Sequence, residues 1–296
     1  MTECTFSMLA GPGDISHVER ILRHLLKMCA FDFREVIVVE DDCPKKGRST
    51  NDGRRLHEVM ERLRRDGLVS RSVLLSSLDR DRTRLSTKHF GSVLPSARDY
   101  RGVPLFGWVA GLEAARTDFL VHFDSDVLLH QQTGFSWIEA GAKLIAHDSH
   151  VMFVSPLPGP PTTDGGLRGQ LVDPIIDRDG NFRFKTFSSR RFLVSKQRFE
   201  KMLPTPGDWM SIQNRALMRL GFRNRLVTWE ECVSRALQKS EFDRVHLRCP
   251  QAWAIHCLDH GQEWLARLPG IIARIEAGDY PAAQAGHYDL ILSAWS

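Results

Sequence analysis

Phe119-Leu120-Val121-His122-Phe123-Asp124-Ser125-Asp126-Val127-Leu128-Leu129 is the stretch on which the fold turns. Its first five residues form a nearly continuous apolar run, as expected for a strand buried on both faces of a parallel sheet. Two carboxylates follow directly and a second apolar run closes behind them. Residues two apart along a strand share a face, so Asp124 and Asp126 reach one ion provided the strand continues through Asp126. Two acids between apolar runs repel each other unless something positive neutralises them. Hard carboxylate oxygens suit Mg²⁺ or Mn²⁺. The plainer reading makes Asp124 or Asp126 a helix N-cap.

An Asp-x-Asp triplet by itself decides nothing, because the chain also contains Asp79-Arg80-Asp81 and Asp177-Arg178-Asp179. Those two carry a central arginine and lie in polar segments, where solvated turns are the default.

The context upstream separates them. Thr5 to Ala10 predicts a short strand stopped by Gly11-Pro12-Gly13. Ser16 and Glu19 have capping-box spacing, and Val18, Ile21, Leu22, Leu25 and Cys29 recur at helical intervals. Glu35 to Val39 predicts a second buried strand, which ends in Glu40, Asp41 and Asp42. A helix from about Asp52 to Arg65 puts Leu56, Val59, Met60 and Leu63 on one face and closes at Gly67. Val73 to Leu75 predicts a third strand, residues 76–103 a long loop over the sheet, and Phe106 to Arg116 a short helix. This β-α-β-α-β order implies right-handed crossovers and a parallel sheet, whose strand carboxyl ends are where ligands bind.

The C-terminal half is less regular. Val151 to Val154 predicts a strand, and the prolines from Pro156 to Pro161 forbid regular structure after it. Phe182 to Val194 alternates aromatic and polar residues, which suits strands exposed on one face. Helical patterns follow at Trp209–Leu220, Glu230–Gln238 and Gln262–Ala277. With no internal repeat or long linker, one compact unit is expected.

Composition sets outer bounds. At 296 residues, 42% hydrophobic, 26% charged and with a net charge of +4, the chain reads as one globular α/β unit with no call for nucleic acid. No apolar run approaches the roughly 20 residues that span a bilayer. The N-terminus lacks a basic region ahead of a long apolar core, so a secretory signal is not expected. Six scattered cysteines without a Cys-x-x-Cys pair fit a reducing compartment, and a cytoplasmic location is expected.

Asp124-Ser125-Asp126-Val127 also fits the start of haloacid-dehalogenase-type phosphatases, in which the first Asp is the nucleophile. That motif opens its domain, whereas here three strand candidates precede it, and Gly207-Asp208-Trp209 continues with no acid at the place where that family needs one. A third reading is a catalytically inactive protein that binds a sugar nucleotide.

Over most of its length the chain resembles the inverting family-2 type of GT-A-fold glycosyltransferase. Three blocks carry the resemblance: TFSMLAGPGD with EVIVVEDD, then GWVAGLEAARTDFLVHFDSDVLL, then TWEECVSRAL with QAWAIHC. It implies an α/β fold with a mostly parallel Rossmann-like central sheet flanked by helices. Residues 1–130 would form the donor half and 131–296 a mixed acceptor half. It implies further that Ala10, Gly11 and one or more of Glu40, Asp41 and Asp42 contact the base and ribose of a nucleotide-diphosphate sugar, UDP-sugar favoured. A carboxylate can accept hydrogen bonds from ribose hydroxyls or a uracil N–H. Asp124 and Asp126 would hold Mn²⁺ or Mg²⁺ on the diphosphate, with Ser125 nearby and His256 as a third ligand; His260 is a weaker candidate. Gly111 matches the family's glycine, while Val109 stands where many members have Asn. Glu231, or Glu230 beside it, would be the general base, and Asp208 fills that role in a second alignment. The acceptor is open: a saccharide, a peptide or a small metabolite. Each assignment has a plainer counterpart, since Glu230 and Glu231 also suit a helix N-terminus and His256 also suits a core.

Overall fold

The structure is a computed structural model that describes residues 2–42, 50–170, 172–205, 213, 216, 217, 220 and 226–295. Four parallel strands make its first half: β1 (Cys4–Ala10), β2 (Glu35–Glu40), β3 (Arg71–Leu74) and β4 (Phe119–Asp124). They lie in the order β3-β2-β1-β4. Pairing sets Leu9 against Asp124 and Ala10 against Glu40, so the carboxyl ends of β1, β2 and β4 come together at one edge.

Beyond β4 the sheet becomes mixed. Strand β10 (Arg191–Ser195) runs antiparallel between β4 and β6 (Val151–Ser155). Strand β11 (Asp243–His246) is parallel to β6, and β9 (Phe182–Phe184) with β8 (Ile175–Ile176) closes the edge. A smaller sheet, β5-β12-β7, is built from Val127–Gln131, Ala252–His256 and Leu157–Pro158.

Helices cover both faces. On one side α1 (Val18–Cys29) buries Val18, Ile21, Leu22, Leu25 and Cys29, the residues whose spacing predicts the helix. It shares a core with α5 (Trp137–His147) and α8 (Gln262–Glu276). Helix α2 (Thr50–Arg65) adds Leu56, Met60 and Leu63 to that core. On the other side, α4 (Phe106–Ala114), α6 (Lys196–Glu200) and α7 (Trp229–Gln238) share a core with Leu85 and Phe90. A Cβ on Gly111 of α4 would lie 2.5 Å from Ser7 Oγ, so the close approach of this helix to β1 requires glycine there.

The structure departs from the sequence expectations at four places. Strand β4 stops at Asp124; Ser125 and Asp126 form a turn, and the apolar run behind them pairs with β12 in the second sheet. Ser and Asp favour such a turn through their local hydrogen bonding, so the two carboxylates do not share one strand face. Residues 76–103 hold a 3₁₀ turn and the helix α3 (Arg82–Phe90), whose exposed basic residues mask an inner face of Leu85, Ser86, His89 and Phe90. Strand β10 is buried throughout, where one exposed face was expected, because it sits between β4 and β6. Leu157–Pro158, in the proline-rich run, pairs with β12 as a short edge strand, a position that tolerates proline. The Trp209–Leu220 helix expectation falls largely outside the described residues.

Candidate functional site

The loops and strand ends at the carboxyl edge of β4 bring together two carboxylates and three imidazoles. Asp126 lies in the turn between β4 and β5. His256 ends β12, and the backbone N–H of Cys257 donates to the Asp126 carbonyl at 3.1 Å, which ties the two segments. His260 follows shortly after. Asp126 Oδ2 is 3.3 Å from His256 Nε2 and 3.4 Å from His260 Nε2. Asp126 Oδ1 is buried and has no hydrogen-bond partner among the described residues.

Asp14 and His17, from the turn after β1, complete the group. Asp14, His17 and His260 offer ligand atoms within 4.8 Å of one another. His17 Nε2 is also buried without a hydrogen-bond partner among the described residues. Burial, with the charge of His260, pushes the His17 imidazole down to about 4, so it is neutral at physiological pH and keeps a lone pair to offer. Burial works against the charged form of Asp126, but the hydrogen bonds of His256 and His260 prevail and hold its carboxyl well below the usual range.

A divalent ion fits the cluster of Asp14, His17 and His260. The two orphaned buried atoms need a partner, and ligand atoms bound at about 2.1 Å lie on the order of 3 Å apart around an ion. The mixed carboxylate and imidazole set suits Mn²⁺ better than Mg²⁺, which prefers oxygen.

Asp124 plays a different part. Its Oδ1 receives Trp108 Nε1–H at 3.3 Å and faces His122 Nε2 at 3.0 Å. Residues 122 and 124 share a strand face, and His122 stacks on Phe192 with ring centroids 5.1 Å apart. Trp108 in turn stacks on Trp229 at 5.4 Å, which fixes the carboxylate from the core side. Ser125 is buried between the two acids.

The three acids that follow β2 go three ways. Glu40 is fully buried and meets His57 Nδ1 at 3.2 Å. Asp41 accepts both Arg98 Nη atoms at 3.0 and 2.6 Å, and lines a cleft with Leu75, Leu78 and Phe106. Asp42 accepts the Ser76 backbone N–H at 2.9 Å. Ala10 and Gly11 lie beside them, and the Gly11 N–H donates to Asp14 Oδ2 at 2.7 Å. Lys88 is engaged with Glu113 and Glu200 at 2.7 and 2.9 Å.

On the C-terminal side, Glu231 closes the capping box of α7, accepting from Thr228 N and Oγ1 at 2.9 and 3.2 Å. Glu230 accepts from Ser189 N at 3.1 Å and opens on a cavity of about 410 Å³. Asp208, the alternative base, lies outside the described residues. Asp289 Oδ1 meets His256 Nδ1 at 3.0 Å, and Arg190 also contacts that imidazole. The outer Asp-x-Asp triplets are turns: Asp79 and Asp81 are exposed, and Asp177 accepts from the N–H groups of Asp179 and Asn181.

Sequence reasoning missed Asp14, His17, Arg190 and Asp289. Only Asp14-x-x-His17 carried a signal, obscured by the capping-box spacing of Ser16 and Glu19. In the structure α1 starts at Val18 with His17 as its N-cap residue and no side-chain cap.

The sheet order, the flanking helices and the gathering of acids at the strand ends define an α/β fold of the GT-A, Rossmann-like type. No protein-family model and no curated protein matches the sequence. A solved structure of GalNAc-T7 with UDP, GalNAc and Mn²⁺ is similar over 86% of this chain, with a TM-score of 0.50 and 11% identity. The chain spans 44% of the length of that neighbour. At that identity the likeness speaks for the fold alone.

Proposed function

We propose that this protein is a metal-dependent glycosyltransferase that moves a sugar from a nucleotide-diphosphate sugar, UDP-sugar favoured, to an acceptor nucleophile with inversion. The observation that carries this reading is Asp126. Its half-buried carboxylate, with one oxygen buried and unpartnered among the described residues and the other between two imidazoles, sits at the carboxyl edge of a GT-A-type sheet.

Asp126, His256 and His260 would hold Mn²⁺, with Asp14 and His17 behind them and Asp124 alongside. A bound divalent ion supplies positive charge to offset what builds up on the leaving diphosphate. Asp289 orients His256 by accepting from its Nδ1–H, which leaves Nε2 directed at Asp126. Asp41, steadied by Arg98, would accept hydrogen bonds from the base N–H or ribose hydroxyls, with Ala10 and Gly11 allowing close approach. Residues 1–130 thus form the donor half and 131–296 the acceptor half. Glu230 takes the acceptor proton in preference to Glu231, whose carboxylate is already committed to its helix cap. Proton removal there lets the acceptor attack from the face opposite the diphosphate.

The test is donor turnover. UDP-sugars incubated with the protein and Mn²⁺ should release UDP, slowly to water and faster with a suitable acceptor, and EDTA should abolish release. Release of inorganic phosphate with a phosphoryl-aspartate at Asp124 would instead establish the phosphatase reading. Donor binding without any turnover would establish an inactive sugar-nucleotide binder.

A further inference from the structure

The 410 Å³ cavity beside Glu230 is lined by four arginines, Arg168, Arg190, Arg191 and Arg244, against two carboxylates, Glu230 and Asp289. Two of these arginines are unusual in their burial. Arg191, at the start of β10, is 2% exposed, and Arg244, in β11, is 7% exposed. The Arg191 guanidinium lies 3.8 Å above the Tyr288 ring, and that of Arg244 lies 4.6 Å above Phe184. Aromatic faces support the cations but leave their N–H groups unsatisfied. Arg191 Nε and Nη2, Arg244 Nε and Tyr288 Oη are all buried without a hydrogen-bond partner among the described residues.

The nearby acids do not resolve this. Glu230 accepts from Ser189, and Asp289 is engaged with His256. Among the described residues no carboxylate pairs with Arg191 or Arg244. Burial, together with repulsion from Arg191, pushes the Arg244 guanidinium down to about 10, and burial lowers Arg191 too. A fold keeps two adjacent, unpaired, buried cations at a cost to its stability. A bound oxyanion would satisfy both and take the Tyr288 hydroxyl as a further donor.

We propose that this cavity is an oxyanion subsite for the acceptor, so that the acceptor carries a phosphate monoester or a carboxylate. Assigning the anion to the acceptor rests on the glycosyltransferase reading above. The cavity walls come from the C-terminal half and include Glu230, whereas the donor elements lie at the ends of β1, β2 and β4. The cavity adjoins the metal group through Arg190 and Asp289, both of which contact His256. An acceptor anchored there by its anion would present a neighbouring hydroxyl to Glu230.

The anion titrations use the full chain in EDTA, so that no metal can recruit an anion, and the UDP–Mn²⁺ shifts are measured separately without EDTA. Glucose 6-phosphate, glucuronate and glucose are titrated calorimetrically at matched ionic strength, and sodium phosphate is compared with sodium chloride by thermal shift. At least one of the two charged sugars should bind ten or more times tighter than glucose, and phosphate should stabilise the protein. Arg244→Met and Arg191→Met should each lose that binding at least tenfold while keeping the thermal shift given by UDP with Mn²⁺. Arg244→Met should also melt higher than wild type when no anion is added, because it removes an unpaired buried charge. Equal binding of charged and uncharged sugars by wild type, or wild-type anion affinity in Arg244→Met, would overturn the subsite. Should Arg191→Met fail to fold, Arg244→Met and the wild-type comparison still decide. UDP–Mn²⁺ binding without anion binding would overturn the subsite alone. Anion binding without UDP–Mn²⁺ binding would overturn the acceptor assignment together with the function it rests on.

Discussion

Asp126→Asn keeps the side chain's size and removes the charge that His256 and His260 face at 3.3 and 3.4 Å. Its effect is expected chiefly in ligand-induced stabilisation. UDP with Mn²⁺ at about 100 times the dissociation constant should stabilise wild type by about 2.7 kcal/mol. For a chain of this size about 2 °C accompanies each kcal/mol, so the melting temperature should rise by about 5 °C. Loss of an outer partner of a metal site already weakens binding about 10–100-fold, and loss of a direct ligand belongs at the upper end or beyond. At 100-fold weaker binding the same ligand concentration stabilises by about 0.4 kcal/mol, a shift below about 1 °C. Asp124→Asn should be milder, because Asp124 Oδ1 is already held by His122 and Trp108. A tenfold weakening there leaves about 1.4 kcal/mol, or about 3 °C. Scanning fluorimetry of both variants in EDTA, Mn²⁺, UDP and UDP with Mn²⁺ measures these shifts. An undiminished UDP–Mn²⁺ shift in Asp126→Asn refutes the placement of the ion.

Three further outcomes are expected. Glu230→Gln should lower kcat about 10²–10⁴-fold, the usual contribution of a general base, whereas Glu231→Gln should leave kcat near wild type because Gln also serves at N3 of a capping box; equal losses in steady-state assays would return the role to Glu231 or Asp208. Glu113 is held at about 2 rather than 4.5, first by its hydrogen bond with His89 and further by Lys88, against burial. A depressed carboxyl stabilises above its unfolded pKa and stops doing so as pH falls through the folded value, so Glu113→Gln should cost about 3 kcal/mol at pH 7 and progressively less from pH 4.5 to 2, read by urea titration. Gly159→Ala should cost about 3 kcal/mol, because φ is +92° and the new Cβ would collide with the His287 backbone oxygen; an unchanged urea midpoint would count against that packing.

Much of the fold is legible in the sequence because its first half uses long, strongly periodic signals. The strands Glu35–Glu40 and Phe119–Asp124 and the helix Val18–Cys29 follow from continuous β-branched runs and helical spacing. Helix α3 was hidden because its outer residues are basic and its inner face is short. The two-sided burial of strand β10 is not visible in its sequence because it comes from two neighbours distant in the chain, β4 and β6.

For the site, the sequence by itself marked Asp124-Ser125-Asp126 as a place where two acids close a buried strand, and it named His256 from the third block of a family resemblance. Only the tertiary structure parted the two acids. A turn at Ser125 and Asp126 sends the following strand into a second sheet, and that sheet brings His256 to Asp126 through the β5–β12 pairing. His17 and Asp14 arrive from the other side of the chain through the turn after β1. Spacing along a strand can place carboxylates on a face, but long-range pairing decides which imidazoles stand opposite them.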